Sequence, residues 1–347
     1  MYVVIYVLRL LKLLNRKDVN LTTKQQKDQI AALKLQGMNH RDISEKVFGK
    51  RTAASTVHYV LRDRGLVEDS RVIAREEPLG APKILVFDIE TAPCLSYHWG
   101  LWQQNIGLSM MVRDWAVISW SAKWVGDDKV MYEDCREHFD GSASSIHEEI
   151  DDRGILEGIW KLLDEADMVV TQNGKKFDVK KLNARFLTNG MKPPSSYKHI
   201  DTLQIAKRHF AFTSNKLEFM TDKFCKKYKK LKHGKFPGFE LWKQCQLGNA
   251  EAWDEMEEYN MYDVLSLEEL VFILAPWSNT LPSLDVYHEG LDNVCFCGNC
   301  EWEHDGYAYS NLSKFVRFKC TNCGAERRGK TNLLTKEKRA SLRMNVT

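Results

Sequence analysis

Proline, glycine and long apolar runs are scarce in this sequence of 347 residues. Only 8 Pro and 20 Gly are present, which excludes a collagen-like chain and a low-complexity disordered one. No apolar run approaches the roughly 18 residues that a membrane-spanning helix needs. The apolar start MYVVIYVLRLLKLL contains Arg9 and Lys12 and has no small-residue cleavage site. We therefore expect an amphipathic helix or a translation start placed too far upstream, not a secretory signal. The chain is expected to be soluble and cytosolic, with 1–20 as an N-terminal extension.

The net charge of +3 conceals three segments of different sign. Residues 1–82 carry a net charge of +6 and residues 314–347 one of +8, whereas residues 83–313 carry −11. Basic ends suit contacts with nucleic-acid phosphates, and an acidic centre suits carboxylates that bind cations. Uneven surface charge without a partner is the alternative.

The segment 21–66 is predicted to form three short helices around a small apolar core. The helices are expected over 23–36, 39–47 and 51–64, because Gly37 and Gly49 are helix-ending signals after the first two. This pattern, with a polar and basic third helix, is typical of a helix-turn-helix domain. A helical hairpin that contacts protein is the alternative. The residues expected to face DNA are Arg51, Ser55, Thr56 and Arg62.

A charged linker with two prolines occupies 67–82, and a larger α/β domain is predicted over 83–285. Short apolar runs predict buried strands at 84–87, 116–120 and 168–172. Longer segments predict helices at 155–165, 179–187, 202–211, 217–225 and 252–274.

The strongest chemical signal in this domain is a set of spaced carboxylates. Residues i and i+2 of a strand share one face, so Asp88 and Glu90 point the same way, and a cation is needed to offset their repulsion. Asp178 follows a predicted strand and opens a helix, where the sites of α/β proteins collect. Tyr259 and Asp263 are four residues apart in a predicted helix and therefore project from one face.

In order and type, these five residues resemble the DEDD superfamily of 3′–5′ exonucleases, in the DEDDy subtype with a Tyr four residues before the last Asp. The resemblance spans about 83–275 and includes Asn173 and Phe177 around Asp178. It implies an α/β fold of the ribonuclease H-like type, a mixed sheet with flanking helices. It also implies a phage or bacterial protein in the cytoplasm of a bacterial or phage-infected cell.

The resemblance further implies that the chain hydrolyses phosphodiester bonds with two Mg²⁺ or Mn²⁺ ions. The metal ligands would be Asp88, Glu90, Asp178 and Asp263. Tyr259 would orient the attacking water, because an ordinary Tyr pKa near 10 makes it a poor base. Thr91 would lie near the terminal nucleotide. Single-stranded DNA is the favoured substrate, and RNA is possible. Asp201 precedes another predicted helix and is expected to be its N-cap, so it is not counted as catalytic.

A lysine-rich segment, 223–235, interleaves seven lysines with Phe224, Tyr228 and His233. Such a pattern suits neutralisation of a phosphate backbone combined with stacking of bases. A solvated helix face is the alternative. The candidate lysines are Lys226, Lys227, Lys229 and Lys230. Trp99 and Trp102 are candidates for stacking on substrate.

Five of the nine cysteines cluster near the C-terminal end. The pairs Cys297/Cys300 and Cys320/Cys323 have the C-x₂-C spacing of a structural Zn²⁺ site, and Cys295 is a possible substitute in the first pair. Short strands expected at 307–309 and 315–318 make 286–330 resemble a zinc ribbon, followed by a basic tail over 331–347. Zinc is favoured over disulfides because nothing indicates secretion. Basic flanks favour contact with nucleic acid over a purely structural role.

Two other functions remain open. A DDE-type transposase or recombinase would share the fold, the helix-turn-helix and sometimes a zinc ribbon, but it does not require the Tyr259/Asp263 pair. A DNA-binding regulator would use the nuclease fold as a non-catalytic scaffold. The oligomeric state is unspecified by the sequence.

Overall fold

The computed structural model describes residues 23–49, 56, 57, 60, 61, 64, 81–231, 234–288 and 293–344. The chain divides into two compact units, Met1–Pro78 and Leu79–Thr347. Several predicted features lie outside the described residues: the extension 1–20, most of the linker 67–82, and Arg51, Ser55 and Arg62. Within the described residues, no helix has the length and apolar character that crossing a membrane requires.

The first unit contains two well-capped helices, α1 (Lys24–Leu35) and α2 (His40–Phe48). Thr23 caps α1 in a capping box, and the Asn39 side chain accepts hydrogen bonds from two backbone N–H groups at the start of α2. Gly49 ends α2 with a φ of 68°, a left-handed conformation that glycine adopts without strain. The core of this unit consists of Ile30, Ile43, Val57, Val60 and Leu61.

The second unit is built on a five-stranded mixed sheet. Before its small C-terminal sheet, this unit contains seven described strands: β1 (Ile84–Thr91), β2 (Leu95–Ser96), β3 (Met111–Arg113), β4 (Val117–Trp124), β5 (Met131–Asp134), β6 (Met168–Thr171) and β7 (Lys198–Asp201). The order is β5-β4-β1-β6-β7, while β2 and β3 form a separate two-stranded hairpin. β1 is antiparallel to β4 and parallel to β6, and β6 is parallel to β7. The mixed sheet that the resemblance implied is therefore present.

Helices cover both faces of this sheet. They are α3 (Ala143–His147), α4 (Arg153–Glu165), α5 (Asp178–Thr188), α6 (Thr202–His209), α7 (Leu217–Phe224), α8 (Glu240–Gln246) and α9 (Ala250–Leu274). Because side chains alternate along a strand, Leu85 and Phe87 of β1 pack in one core with residues of α4, α5 and α8. Ile84 and Val86 pack in a second core with residues of α6 and α7. The long helix α9 contributes to both cores.

The C-terminal end forms a small antiparallel sheet. Its strands β8 (Trp302–Ser310), β9 (Ser313–Cys320) and β10 (Glu326–Arg328) lie in the order β10-β9-β8, and the short helix α10 (Lys336–Ser341) follows. Phe296, just before this sheet, is buried in the second core, with its ring centre 5.4 Å from that of Phe272 on α9. The small sheet is thus joined to the larger one through apolar packing.

Candidate active site

Three of the predicted carboxylates meet where β1 faces α9. One oxygen each of Asp88, Glu90 and Asp263 lies within 4.8 Å of the other two. Asp88 and Glu90 share the face of β1 that carries Ile84 and Val86, because all four are at even positions of the strand. α9 covers that face and contributes Asp263, whose side chain is buried.

Two polar side chains hold the strand carboxylates in place. The Asn260 side-chain amide donates to Asp88 Oδ2 at 2.9 Å, and the Trp242 indole N–H donates to Glu90 Oε2 at 3.2 Å. Neither residue was predicted from the sequence. The spacing could have indicated Asn260, since it lies three residues before Asp263 on the same face of α9. No sequence pattern indicates Trp242, because its position depends on how α8 packs.

Asp178 lies against the strand that carries this group. It is the first residue of α5, and its Oδ1 accepts a hydrogen bond from the backbone N–H of Ile89 at 3.3 Å. Ile89 lies between Asp88 and Glu90, so this bond fixes the start of α5 against the strand that carries both. The carboxylate is buried, and its negative charge contributes to raising the pKa of Asp88.

The loop that delivers Asp178 is fixed by Asp201 and Thr171. Asp201 accepts hydrogen bonds from the backbone N–H groups of Asn173 and Lys175, and it caps α6 as the sequence predicted. Asn173 has a φ of 70°, in the left-handed region. The backbone N–H of Gly174 donates to Thr171 Oγ1 at 3.2 Å, an approach so close that a Cβ at Gly174 would clash with the threonine side chain.

Lys230 supplies a positive charge to this acidic group. Its ammonium nitrogen lies 2.5 Å from Asp263 Oδ2 and 4.4 Å from the centre of the Tyr259 ring. The segment that carries it is attached to α9, because Glu269 accepts hydrogen bonds from the backbone N–H groups of residues 226–228. The contact with Asp263 makes Lys230 part of the site itself.

The concentration of negative charge makes these carboxyls weak acids. Burial, followed by the charge of Asp263, raises the pKa of Glu90 to about 8. Burial also raises the pKa of Asp178 to about 7, although backbone N–H groups oppose the change. For Asp88, burial and the charges of Asp178, Asp263 and Glu90 raise the pKa well above its usual range. Burial raises the pKa of Asp263 as well, against the influence of Lys230.

Tyr259 lies beside the carboxylates with its ring held between two neighbours. Its ring packs edge-on against Trp242, with centroids 6.0 Å apart, and Lys230 covers it. Burial and the charge of Asp263 raise the pKa of Tyr259. The hydroxyl therefore keeps its proton at neutral pH.

The site fits divalent cations. Asp263 Oδ1 is buried and has no hydrogen-bond partner among the residues that the structure describes, a costly arrangement unless a ligand pairs with it. Hard carboxylate oxygens within 4.8 Å of one another are the ligands that Mg²⁺ and Mn²⁺ prefer. A bound cation would relieve the repulsion that raises the pKa values of these carboxyls.

The remaining nucleic-acid candidates lie at separate places. Thr91 ends β1 and is partly exposed, and Thr56 is helical and partly exposed in the first unit. Lys226, Lys227 and Lys229 are exposed. They follow the end of α7 at Phe224, so they lie in a solvent-exposed loop and not on the face of a helix.

Four cysteines form a second candidate metal centre. The sulfur atoms of Cys295, Cys297, Cys320 and Cys323 lie within 4.8 Å of one another. The Sγ–Sγ distance is 3.5 Å between Cys295 and Cys323 and 3.7 Å between Cys297 and Cys320. Tetrahedral Zn²⁺ with Zn–S bonds of about 2.3 Å separates its sulfurs by roughly 3.8 Å, so the group fits zinc.

The structure places Cys295 where the sequence favoured Cys300. A tight turn, in which the backbone N–H of Gly298 donates to the Cys295 carbonyl, reverses the chain, and Cys300 emerges exposed and outside the group. Burial raises the pKa of Cys320, but hydrogen bonds from the backbone of Cys323 and from Asn299 outweigh it and lower this pKa to about 6. A thiolate is the form that binds zinc.

A protein-family model agrees with this fold. Residues 134–275 match the RNase_H_2 family model of the RNase H superfamily. This span includes Asp178, Tyr259 and Asp263, whereas Asp88 and Glu90 precede it on the central strand of the same sheet. A search of curated proteins finds no match.

Among solved structures, the chain is similar to the family B DNA polymerase from the hyperthermophilic archaeon Pyrobaculum calidifontis. The sequences are 14% identical and the TM-score is 0.40; the match covers 67% of this chain but only 32% of the polymerase. The family match and the mixed sheet with its flanking helices together support an RNase H-like domain, a fold whose members include nucleases that use divalent metals.

Proposed function

We propose that this chain is a metal-dependent 3′–5′ exonuclease of the DEDDy type, with single-stranded DNA as its favoured substrate. The observation that carries the proposal is the meeting of Asp88, Glu90 and Asp263 within 4.8 Å. Asp178 lies against the same strand, and Tyr259 precedes Asp263 by one helical turn. The 3′–5′ direction and the choice of DNA rest on the resemblance in sequence.

The four carboxylates would hold two Mg²⁺ or Mn²⁺ ions. When bound, such ions stabilise the negative charge on the attacking and leaving oxygens of a phosphodiester. Asn260 and Trp242 fix the rotamers of Asp88 and Glu90 through one hydrogen bond each. The carboxylates therefore need little reorganisation to act as ligands.

Tyr259 and Lys230 would act on the substrate side of the carboxylates. Because the pKa of Tyr259 is raised, its protonated hydroxyl would orient the attacking water by a hydrogen bond and would not remove its proton. Burial lowers the pKa of Lys230, but the nearby carboxylates, Asp263 first and then Asp88, outweigh it and raise that pKa. Lys230 therefore stays cationic and can pair with a phosphate or with Asp263.

Three accessory parts of the chain would assist the binding of nucleic acid. The first unit would bind DNA as a helix-turn-helix domain through Thr56 and the sequence-predicted Arg51, Ser55 and Arg62. The C-terminal sheet would hold one structural Zn²⁺ through Cys295, Cys297, Cys320 and Cys323. The exposed lysines 226, 227 and 229 would contact the phosphate backbone.

The test is digestion of oligonucleotides labelled at the 5′ end, as single-stranded DNA, duplex DNA and RNA, with Mn²⁺. The full chain is compared with Asp88→Asn and with a matched control, Asp127→Asn, at an exposed aspartate of the β4–β5 turn. A ladder that shortens from the 3′ end is expected for the wild type and for Asp127→Asn, and no cleavage for Asp88→Asn or with EDTA.

Other outcomes would replace the proposal. Discrete internal cuts would favour a DDE-type transposase or recombinase. Intact substrate that is nevertheless bound in a gel shift would favour a DNA-binding regulator.

A further inference from the structure

A hairpin with an exposed apolar tip projects from the chain just after the strand that carries Asp88 and Glu90. We call Leu95–Arg113, which comprises β2, β3 and their connection, the aromatic hairpin. Its base is closed by pairing of β2 with β3 and by the hydrogen bond from the Tyr97 N–H to the Met110 carbonyl at 2.9 Å. Its exposed apolar side chains are Tyr97, Trp99, Leu101, Trp102, Ile106, Leu108 and Met111.

The tip of this hairpin is unusually apolar for a solvent-exposed surface. Trp99 is 97% exposed and Trp102 is 84% exposed, and residues 95–111 contain no Asp, Glu, Lys or Arg. The tip is nevertheless held in shape, since the Gln104 side chain donates to the Trp102 carbonyl at 2.6 Å. Large exposed apolar patches of this kind mark binding sites.

A cationic and aromatic surface connects the hairpin to the carboxylates. Phe177, the residue before Asp178, is 39% exposed. Lys181, one helical turn further on α5, places its ammonium nitrogen 5.7 Å from the centre of the Phe177 ring and 3.5 Å from that of Trp115. Trp115 comes two residues after β3 ends. These contacts link the start of α5, where Asp178 lies, to the base of the hairpin.

The charge of this surface indicates what binds there. Three more lysines, Lys175, Lys176 and Lys180, are exposed around Phe177. Ammonium groups between exposed aromatic rings suit a single-stranded polynucleotide, because cations pair with its phosphates and rings stack on its bases. A protein partner would gain from the lysines only where it presents acidic side chains, whereas every nucleotide of a single strand supplies both a phosphate and a base.

We propose that a single-stranded polynucleotide runs from the carboxylate site across Phe177, Lys181 and Trp115, and that Trp99 and Trp102 stack on bases several nucleotides from the scissile bond. This inference rests on the proposed nuclease function and names the form of the substrate that the site engages. It makes the hairpin a determinant of affinity for long single strands.

The experiment measures binding of fluorescein-labelled dT₁₅ by anisotropy, in full chains that carry Asp88→Asn so that no cleavage occurs. Against this background we compare the double variant Trp99→Ala/Trp102→Ala with Trp277→Ala, a control tryptophan that is 65% exposed and packs on Phe210. The double variant is expected to bind dT₁₅ at least about 10-fold more weakly, and Trp277→Ala to bind within about 2-fold of its parent.

A second variant separates stacking from charge. Lys181→Met is expected to reduce the slope of log K against log salt concentration by about 0.7, the value for one phosphate contact on a single strand. The tryptophan variants should leave this slope unchanged. Circular dichroism and thermal unfolding show whether each variant is folded, and the high exposure of Trp99 and Trp102 makes loss of the fold unexpected.

The two proposals fail in different ways. If the double variant binds dT₁₅ as tightly as its parent, the inference is wrong. The exposed hairpin tip would then be interpreted as a binding surface for a protein partner. If the wild-type chain cuts no substrate while the double variant still loses dT₁₅ binding, the proposed exonuclease activity fails and the binding surface stands.

Discussion

Replacing Glu90 by glutamine should stabilise the metal-free protein. Glu90 has a pKa of about 8 in the folded chain because it is largely shielded from water and lies close to Asp263, compared with about 4.3 for an ordinary glutamate. The folded state therefore binds this proton more tightly than the unfolded state does. The stability that the protonated carboxyl contributes is present at low pH and is lost as the pH rises towards 8. Glutamine has no proton to lose, so it avoids this loss.

The size of the effect follows from the pKa difference. At 1.36 kcal/mol per pKa unit, the loss amounts to at most about 5 kcal/mol. Because Glu90 is partly exposed and interacts with several charges, solvent and compensating protonation reduce it, and we expect about 1–3 kcal/mol. For a unit of this size, that corresponds to an increase in Tm of several degrees.

The assay is thermal unfolding in EDTA at pH 5.5 and pH 8.5, for wild type, Glu90→Gln and the control Glu137→Gln at an exposed position. Glu90→Gln should unfold at a higher temperature than wild type at pH 8.5, with a smaller difference at pH 5.5, while Glu137→Gln follows wild type. Adding Mn²⁺ should raise the Tm of wild type more than that of Glu90→Gln. A Glu90→Gln protein no more stable than wild type at pH 8.5 would refute the electrostatic reasoning.

Three further predictions concern the supporting residues. Lys230→Met should lower the free energy of unfolding of the metal-free protein at pH 8 by about 3 kcal/mol, because it leaves Asp263 unpaired. Urea unfolding measures this loss, and we expect Mn²⁺ to restore the free energy of unfolding of Lys230→Met. The exposed control Lys229→Met should unfold almost as wild type does. Gly174→Ala should lower the free energy of unfolding by about 1–3 kcal/mol, because its new Cβ clashes with Thr171. In the same urea titration, Gly154→Ala should leave the free energy of unfolding unchanged, because its new Cβ meets nothing within 4 Å. Metal analysis of the purified chain should find about one zinc in wild type and Cys300→Ser but far less in Cys295→Ser; equal zinc in both variants would contradict the assignment of Cys295.

The sequence predicted those parts of the fold and site in which local spacing decides geometry. Strand alternation placed Asp88 and Glu90 on one face, and a four-residue helical spacing did the same for Tyr259 and Asp263. The strands β1, β4 and β6 were predicted because they are apolar runs buried in the sheet. β5 and β7, with the sequences MYED and KHID, lack such a run and form through pairing with β4 and β6.

Features that depend on tertiary packing could not be predicted. Trp242 reaches Glu90 only because α8 packs beside β1. Cys295 was recognised only as a substitute, since the C-x₂-C pattern favours Cys300 until the turn at Gly298 is known. Asp201 was correctly predicted to cap α6. Its second role, in holding the loop before Asp178, depends on a tertiary contact between residues 173–175 and Asp201, which the sequence does not reveal.

The most direct test of the central claim is a calorimetric titration of the full chain with Mn²⁺, without nucleic acid. We predict that wild type and Asp127→Asn bind Mn²⁺, that Asp88→Asn binds it at least about 10-fold more weakly, and that protons are released on binding because the carboxyls have raised pKa values. Undiminished Mn²⁺ binding by Asp88→Asn would show that the ions bind elsewhere and would contradict the assignment of this site.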